Sequence, residues 1–131
     1  METIAVTTNR HAEFVEITRQ VQDAVARSGL TNGTCTVFVP HTTAGVTINE
    51  HADPDVVADM ITALDRMVPW KAGYAHNEGN SAAHIKAGML GVSQTVIVQD
   101  GKLRLGTWQG IFFAEFDGPR RREAWVTVAG I

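Results

Sequence analysis

The chain has 131 residues, of which 44% are hydrophobic, and a formal net charge of −3 at pH 7. This length suits one domain, so residues 1–131 are predicted to fold as a single unit around an apolar core. The acidic balance argues against a nucleic-acid or anionic-membrane partner, either of which would require a basic face. No apolar run comes near the roughly 18 residues of a membrane-spanning helix.

Cysteine usage and the first residues indicate where the protein works. Cys35 is the only cysteine, so no disulfide can form within the chain, and its strand-like surroundings predict a buried, unreactive thiol. Residues 1–10 carry threonines and charges where a signal peptide has an apolar run. The expected location is therefore the cytoplasm.

The first third of the chain predicts three strands and a helix. Residues 3–8 alternate apolar and polar side chains, which is typical of a half-buried strand. Residues 16–28 place apolar side chains on one helical face, and Gly29 follows as a typical helix end. Two further strands are predicted at residues 34–39 and 46–49.

The clearest helix is predicted at residues 54–68. Asp53 can cap it, and Pro54 suits its first position because no N–H partner is needed there. Apolar side chains recur every three or four residues, which predicts a helix lying on the core: Val56, Val57, Met60, Ile61, Leu64, Met67 and Val68.

Residues 69–80 break this periodicity and predict a long loop, a type of segment that is more often functional than a simple connection. A short helix at residues 81–90 follows, with Asn80 or Ser81 as its cap.

The last third predicts strands. Residues 95–99 and 102–107 flank the pair Asp100-Gly101, which is typical of a type I′ hairpin turn. Later strands carry apolar side chains at both alternating positions, so helices, a second sheet or a neighbouring subunit should cover both faces. The predicted fold class is α+β, with mixed or antiparallel sheets and about three helices.

Three histidines lie at the predicted boundaries of elements: His41, His76 and His84. Three imidazoles with an open fourth position make a catalytic type of zinc site, which polarises a bound water or a substrate oxygen. Their spacing contains no HxxxH or HxH pair, however. From spacing alone, three separate histidines, each on the surface or hydrogen-bonded, are the favoured interpretation.

Two segments predict anion binding. Gly79, Asn80 and Ser81 lead into a helix whose first N–H groups could bind an anion, and Lys86 lies one turn further on. Plain helix capping explains the same residues. Arg120 begins a run of three arginines after a predicted turn, and this basic run suits phosphate or carboxylate. A solvated turn, or ion pairs with another subunit, is the alternative.

Two carboxylates are candidates for a general base. Glu50 lies in an acidic segment before the long helix, although capping explains its neighbours Asp53 and Asp55. Glu115 shares a strand face with Ile111 and Phe113, and a half-buried carboxylate there needs a partner, a metal ion or a raised pKa.

These segments together resemble the YjbQ family, and the resemblance covers residues from about 15 to 128. The matching runs are residues 41–50, 53–56, 78–80, 83–86, 106–111 and 115–120.

The resemblance implies an α+β homotrimer with a site near a subunit boundary. It implies a divalent metal, with zinc expected, held by His41, His76 and His84, and it adds Thr107 to the residues that bind substrate. The activity implied is that of a secondary thiamine-phosphate synthase. This enzyme joins hydroxymethylpyrimidine diphosphate to a thiazole phosphate with loss of diphosphate, a substrate type for which Mg²⁺ is also an option.

Three functions remain open at this point. The first is such a transferase, in which the metal, Lys86 and Arg120 neutralise the departing diphosphate. The second is a metal-assisted hydrolase of a small metabolite, with Glu50 or Glu115 as base. The third is a non-catalytic trimer that binds an anion or a metal.

Overall fold

The computed structural model describes all 131 residues and contains three helices and eight strands. The helices are α1 (Thr18–Ser28), α2 (Pro54–Met67) and α3 (Ser81–Leu90). The strands are β1 (Glu2–Thr7), β2 (Glu13–Glu16), β3 (Gly33–Phe38), β4 (Ala44–Glu50), β5 (Ser93–Gln99), β6 (Lys102–Leu103), β7 (Gln109–Glu115) and β8 (Arg121–Gly130). None of the helices is both long and apolar enough to cross a membrane.

The strands form two sheets in which every paired strand is antiparallel. One sheet has five strands in the order β1-β8-β3-β5-β6, and the other has three in the order β2-β7-β4. The α+β class with three helices is therefore confirmed.

The main core lies between the two sheets and α1. It contains Val21 and Val25 of α1, Val37 and Val126 of the five-stranded sheet, and Phe113 of the three-stranded sheet, in one cluster of 17 buried residues. Burial of these side chains is the principal force that holds the layers together.

Helices α2 and α3 cover the other face of the three-stranded sheet. Leu64 of α2 and Ala83 and Ala87 of α3 pack on Ala114 and Phe116 in a second buried cluster. The sequence predicted cover on both faces from the apolar residues of β7, and this prediction is confirmed for the three-stranded sheet.

A close approach between β4 and the end of α3 sets the position of that helix. The Val46 N–H donates to the Gly91 carbonyl at 3.0 Å. A side chain at Gly45 would place its Cβ 2.5 Å from the same carbonyl oxygen, so only glycine allows the contact. The helix that carries His84 is thereby fixed beside the segment that carries His41.

The outer face of the five-stranded sheet is not covered by any element of this chain. Phe38 and Trp125 stack on it with their ring centres 5.8 Å apart, and Ile97 is 63% exposed.

Helix α2 is less buried than its apolar pattern predicts. Of the apolar residues predicted to lie on the core, Leu64 and Val68 are buried, whereas Met67 is exposed.

Several local predictions are confirmed. Asp53 Oδ1 accepts the Asp55 N–H at 2.9 Å and caps α2, and Gly29 ends α1 in the left-handed conformation. Asp100 and Gly101 both have positive φ, 53° and 75°, as a type I′ turn requires.

Two boundaries differ from the sequence predictions. The helix predicted from residue 16 begins at Thr18, because the segment Glu13–Glu16 pairs as strand β2 with β7, about 100 residues later in the chain. The strand predicted at residues 102–107 ends at Leu103, since the Gly106 N–H donates to Gln109 Oε1 and begins a turn instead.

Candidate functional site

A cavity of about 490 Å³ lies where the β3–β4 connection, α3 and the β7–β8 turn meet. Its wall consists of polar side chains and one proline: Pro40, His41, Thr42, Thr43, His76, Glu78, Asn80, His84, Asp117, Arg120 and Arg122. The three histidines predicted to share a site thus line the same cavity, although they come from three separate segments.

His76 and His84 form a close pair at this cavity. Their ring centres are 5.5 Å apart and their planes are nearly perpendicular, at 89°. Two imidazoles on one tetrahedral zinc ion, with Zn–N bonds of about 2 Å, have ring centres about 5 Å apart. Glu78 Oε1 lies 3.9 Å from His76 Nε2. The spacing of the two rings therefore fits a shared metal ion.

His41 is held differently. Its Nε2 accepts the Glu123 N–H at 3.0 Å, so in the neutral ring the proton is on Nδ1 and no lone pair remains for a metal. Burial lowers the pKa of His41, and the nearby Arg122 guanidinium lowers it further. No three histidine, cysteine, aspartate or glutamate side chains are arranged as a metal site. The three-histidine centre stays a prediction, and His41 is the member whose hydrogen bond competes with it.

A buried ion pair lies behind the cavity. The Glu115 side chain is fully buried, the Arg122 side chain is 4% exposed, and Arg122 Nε and Nη2 both donate to the carboxylate. Thr8 Oγ1 and the N–H groups of Phe116 and Asp117 also donate to it. Burial opposes ionisation of Glu115, but the bonds from Arg122, Thr8 and Asp117 outweigh it and hold its pKa below the ordinary value.

These contacts change the interpretation of Glu115. A general base needs a free lone pair near its substrate and a pKa close to neutral. The Glu115 carboxylate accepts five hydrogen bonds, has a lowered pKa and is not part of the cavity wall. It is placed to hold Arg122 rather than to remove a proton.

Asp117 organises the turn between β7 and β8. Its Oδ2 accepts from Asn80 Nδ2 at 2.9 Å and from Arg120 Nη2 at 3.1 Å, and His11 Nε2 lies 3.7 Å from its Oδ1. Asn80 is the N-cap residue of α3, but its side chain makes no capping bond, because its Nδ2 donates to Asp117 instead. The Asn80 Oδ1 atom is buried without a partner, which costs about 1–3 kcal/mol in a folded protein.

The remaining predicted site residues lie outside the cavity wall. Lys86 is almost fully buried and pairs with Asp65 of α2 at 2.7 Å. Glu50 lines a separate cavity of about 190 Å³, and Thr107 is exposed in the turn before β7. Gly79 and Ser81 flank Asn80 without contributing to the wall.

Sequence reasoning did not single out Glu78 or Asp117 as site residues, and it included Arg122 only as the last member of the basic run that begins at Arg120. A signal for Arg122 was present, because it has the same parity along β8 as the apolar Ala124 and Val126 and must point inward with them. No comparable periodicity marks Asp117, which lies in a turn.

Two antiparallel sheets, three helices and a polar cavity lined by histidines and arginines make this chain an α+β protein with a candidate ligand-binding site. The family described as UPF0047 protein YjbQ-like matches residues 2–131, so the chain belongs to the YjbQ family.

Relatives and solved structures agree with this assignment. The UPF0047 protein YugU of Bacillus subtilis is 47% identical over 131 residues, which span 99% of each chain. A UPF0047 protein of Methanocaldococcus jannaschii is 53% identical over 95% of this chain and 91% of its own. A crystal structure from Clostridium acetobutylicum, described as an uncharacterized conserved protein of the YjbQ/UPF0047 family, has a TM-score of 0.97 and 50% identity over 98% of this chain and 100% of its own.

Proposed function

We propose that this cavity is the active site of an enzyme that acts on a small phosphorylated metabolite and uses a divalent metal ion. The observation that carries the proposal is the paired His76 and His84 in a cavity whose wall also includes Arg120 and Arg122. Imidazole pairs bind divalent transition metals, and guanidinium groups bind phosphoryl oxygens.

The charge of the cavity wall supports a role for the metal. With the histidines neutral, the two arginines are balanced by Glu78 and Asp117, and Glu115 adds a negative charge behind the wall. A phosphate dianion therefore finds no net positive charge until a cation binds. We expect phosphate to bind weakly to the metal-free protein and more tightly with zinc.

Zinc is the metal that the nitrogen ligands favour, because Mg²⁺ prefers oxygen donors in octahedral geometry. His76 and His84 would hold the ion, with Glu78 as the nearest carboxylate. When bound, such an ion polarises a substrate oxygen or lowers the pKa of a bound water. His41 contributes as a neutral hydrogen-bond donor through Nδ1, since Glu123 already occupies its Nε2.

The specific reaction proposed is that of a secondary thiamine-phosphate synthase, which releases diphosphate. The arginines would bind the leaving diphosphate, as that chemistry demands. Hydrolysis of a small phosphorylated metabolite is the second candidate, because a metal ion on two imidazoles is well suited to activating water. A non-catalytic anion-binding role is the outcome if neither activity is found.

A homotrimer that works in the cytoplasm is part of the proposal. Apolar side chains remain exposed on two faces: Phe38 and Ile97 on the five-stranded sheet, and Met67 and Met89 on the helices. Contact between subunits would bury such residues. Light scattering after size exclusion at micromolar concentration should give three times the chain mass of 14.2 kDa. A monomer would contradict the trimer.

The metal is tested by comparing His84→Ala with His51→Ala. His51 bonds to Glu16 outside this cavity, so its replacement removes a histidine without touching the proposed ligands. We expect zinc, measured by mass spectrometry after dialysis, to bind one ion per chain in the wild type and in His51→Ala, and far less in His84→Ala. Equal zinc in all three proteins would remove His84 from the site.

The reaction is tested with the zinc-loaded wild type, the pyrimidine diphosphate and the thiazole phosphate. Release of diphosphate that requires both substrates supports the transferase. Release of phosphate or diphosphate from one substrate alone supports hydrolysis. If neither is released faster than with His84→Ala, the enzymatic proposal is contradicted.

A further inference from the structure

The buried side chain of Arg122 forms hydrogen bonds within the protein through two of its three nitrogens. The Arg122 side chain is 4% exposed, and its Nε donates to Glu115 Oε1 at 2.8 Å. Its Nη2 donates to Glu115 Oε2 and to Thr43 Oγ1, the latter at 2.7 Å. The remaining amino group, Nη1, makes no hydrogen bond to any protein atom.

Two observations indicate that this free amino group faces the cavity. Asn80 Oδ1 is the only buried side-chain nitrogen or oxygen that lacks a partner, so the unpaired Nη1 of Arg122 is not sealed inside the core. Arg122 is also part of the cavity wall. Nη1 is therefore the atom through which this buried cation can meet a ligand.

We propose that Arg122 anchors the ligand by donating from Nη1 to one anionic oxygen, and that Glu115 is the positioning residue that holds the guanidinium in place. This inference rests on the proposed function and names the residue that binds the phosphoryl group of the proposed substrate. Because Nε and Nη2 are already used, Arg122 offers a single amino group rather than the bidentate fork that suits a carboxylate. A terminal phosphoryl oxygen, which needs only one strong donor from each neighbour, fits this arrangement.

Arg120 is less suited to the same task. Its side chain is 48% exposed, and its Nε and Nη2 are bound to the Asp117 carbonyl and carboxylate. An exposed arginine loses more side-chain freedom when a ligand binds, whereas Arg122 is already fixed by Glu115 and Thr43. Arg122 should therefore contribute more to anion affinity than Arg120.

The test measures the affinity of the full chain for inorganic phosphate by calorimetry at low salt, with and without zinc. Arg122→Lys keeps the charge and can still pair with Glu115, but it has no Nη1. Arg121→Lys is the matched control, because Arg121 is exposed on the same strand and is not in the cavity wall. We expect Arg122→Lys to weaken phosphate binding by about 10- to 100-fold and Arg121→Lys to change it by less than about twofold.

The possible outcomes separate this inference from the proposed function. Phosphate binding that is unchanged in Arg122→Lys, or weakened equally in Arg121→Lys, overturns the role of Arg122 and leaves the proposed function standing. A wild type that binds no phosphate at millimolar concentration, with or without zinc, overturns both.

A second approach applies if Arg122→Lys does not fold. The wild type is crystallised in phosphate, and we expect an anion oxygen about 3 Å from Nη1 of Arg122. An anion elsewhere in the cavity, or none, overturns the inference.

Discussion

The buried pair of Glu115 and Arg122 leads to the sharpest stability prediction. Glu115→Gln keeps the volume of the side chain but removes the charge that balances Arg122. It also turns an amide NH₂ toward donors such as the Arg122 guanidinium and the Thr8 hydroxyl. The variant thus leaves the Arg122 cation without its counter-ion, and it places the amide donor of the new side chain against donors that have lost their acceptor.

The expected loss is about 3–5 kcal/mol of unfolding free energy, the typical cost of breaking a buried ion pair. A domain of this size has about 7–20 kcal/mol in total. The melting temperature should therefore fall by about 10–20 °C. Urea unfolding followed by circular dichroism measures the change.

The matched control is Glu2→Gln, which breaks the surface pair that Glu2 forms with Arg27 at 2.8 Å. Both of those side chains are well exposed to water, so the unfolding free energy of the control should stay close to that of the wild type. A loss below about 1 kcal/mol for Glu115→Gln, or equal losses for the two variants, would refute the reasoning.

The same pair predicts a pH dependence. The folded pKa of Glu115 lies below its unfolded value of about 4.3, because the bonds from Arg122 and Thr8 outweigh the effect of burial. The stabilisation is complete above the unfolded pKa and is lost as the pH falls through the folded pKa. Glu115→Gln removes this contribution, so its unfolding free energy should decline less steeply than that of the wild type below about pH 4.

Three further predictions concern other parts of the molecule. Burial raises the pKa of the Cys35 thiol to about 11, so a thiol reagent should label the folded protein only as fast as it unfolds, and rapid labelling at neutral pH would contradict this. In an NMR titration, the pKa of His41 should lie below its ordinary value because of burial and Arg122. The pKa of His51 should lie above its ordinary value because of the bond to Glu16. Loss of the His51 shift in Glu16→Gln would confirm this cause. Gly101→Ala should lower the unfolding free energy by about 1–2 kcal/mol, because Gly101 has a positive φ. Gly88→Ala lies on the exposed side of α3 with free space around it and should raise the unfolding free energy by about 0.4–1 kcal/mol. Equal effects of the two variants would refute the turn assignment.

Local sequence patterns determined most of the secondary structure. The cap at Asp53, the glycine after α1 and the Asp100-Gly101 turn depend on neighbouring residues, so the sequence alone was sufficient to predict them. Strand β2 could not be predicted in this way, because its four residues are too few to show an apolar alternation and only their pairing with β7 makes them a strand.

The site shows the same division between local and long-range information. The sequence was enough to select His41, His76 and His84 as residues of interest, and they line one cavity. It could not show that Glu123 would occupy the Nε2 of His41, or that Asp65 would take the charge of Lys86. Each of these contacts joins residues more than 20 positions apart.

Composition and periodicity thus determined the fold class, the helices and most strands, because the apolar patterns and turn residues that predict them extend over only a few positions. Only the tertiary structure decided which polar atoms are used up inside the protein and which remain free to bind a ligand. Glu115 changed from a candidate base to the support of a cation, and Arg122 emerged with one free amino group, because hydrogen-bond partners are assigned by packing in space.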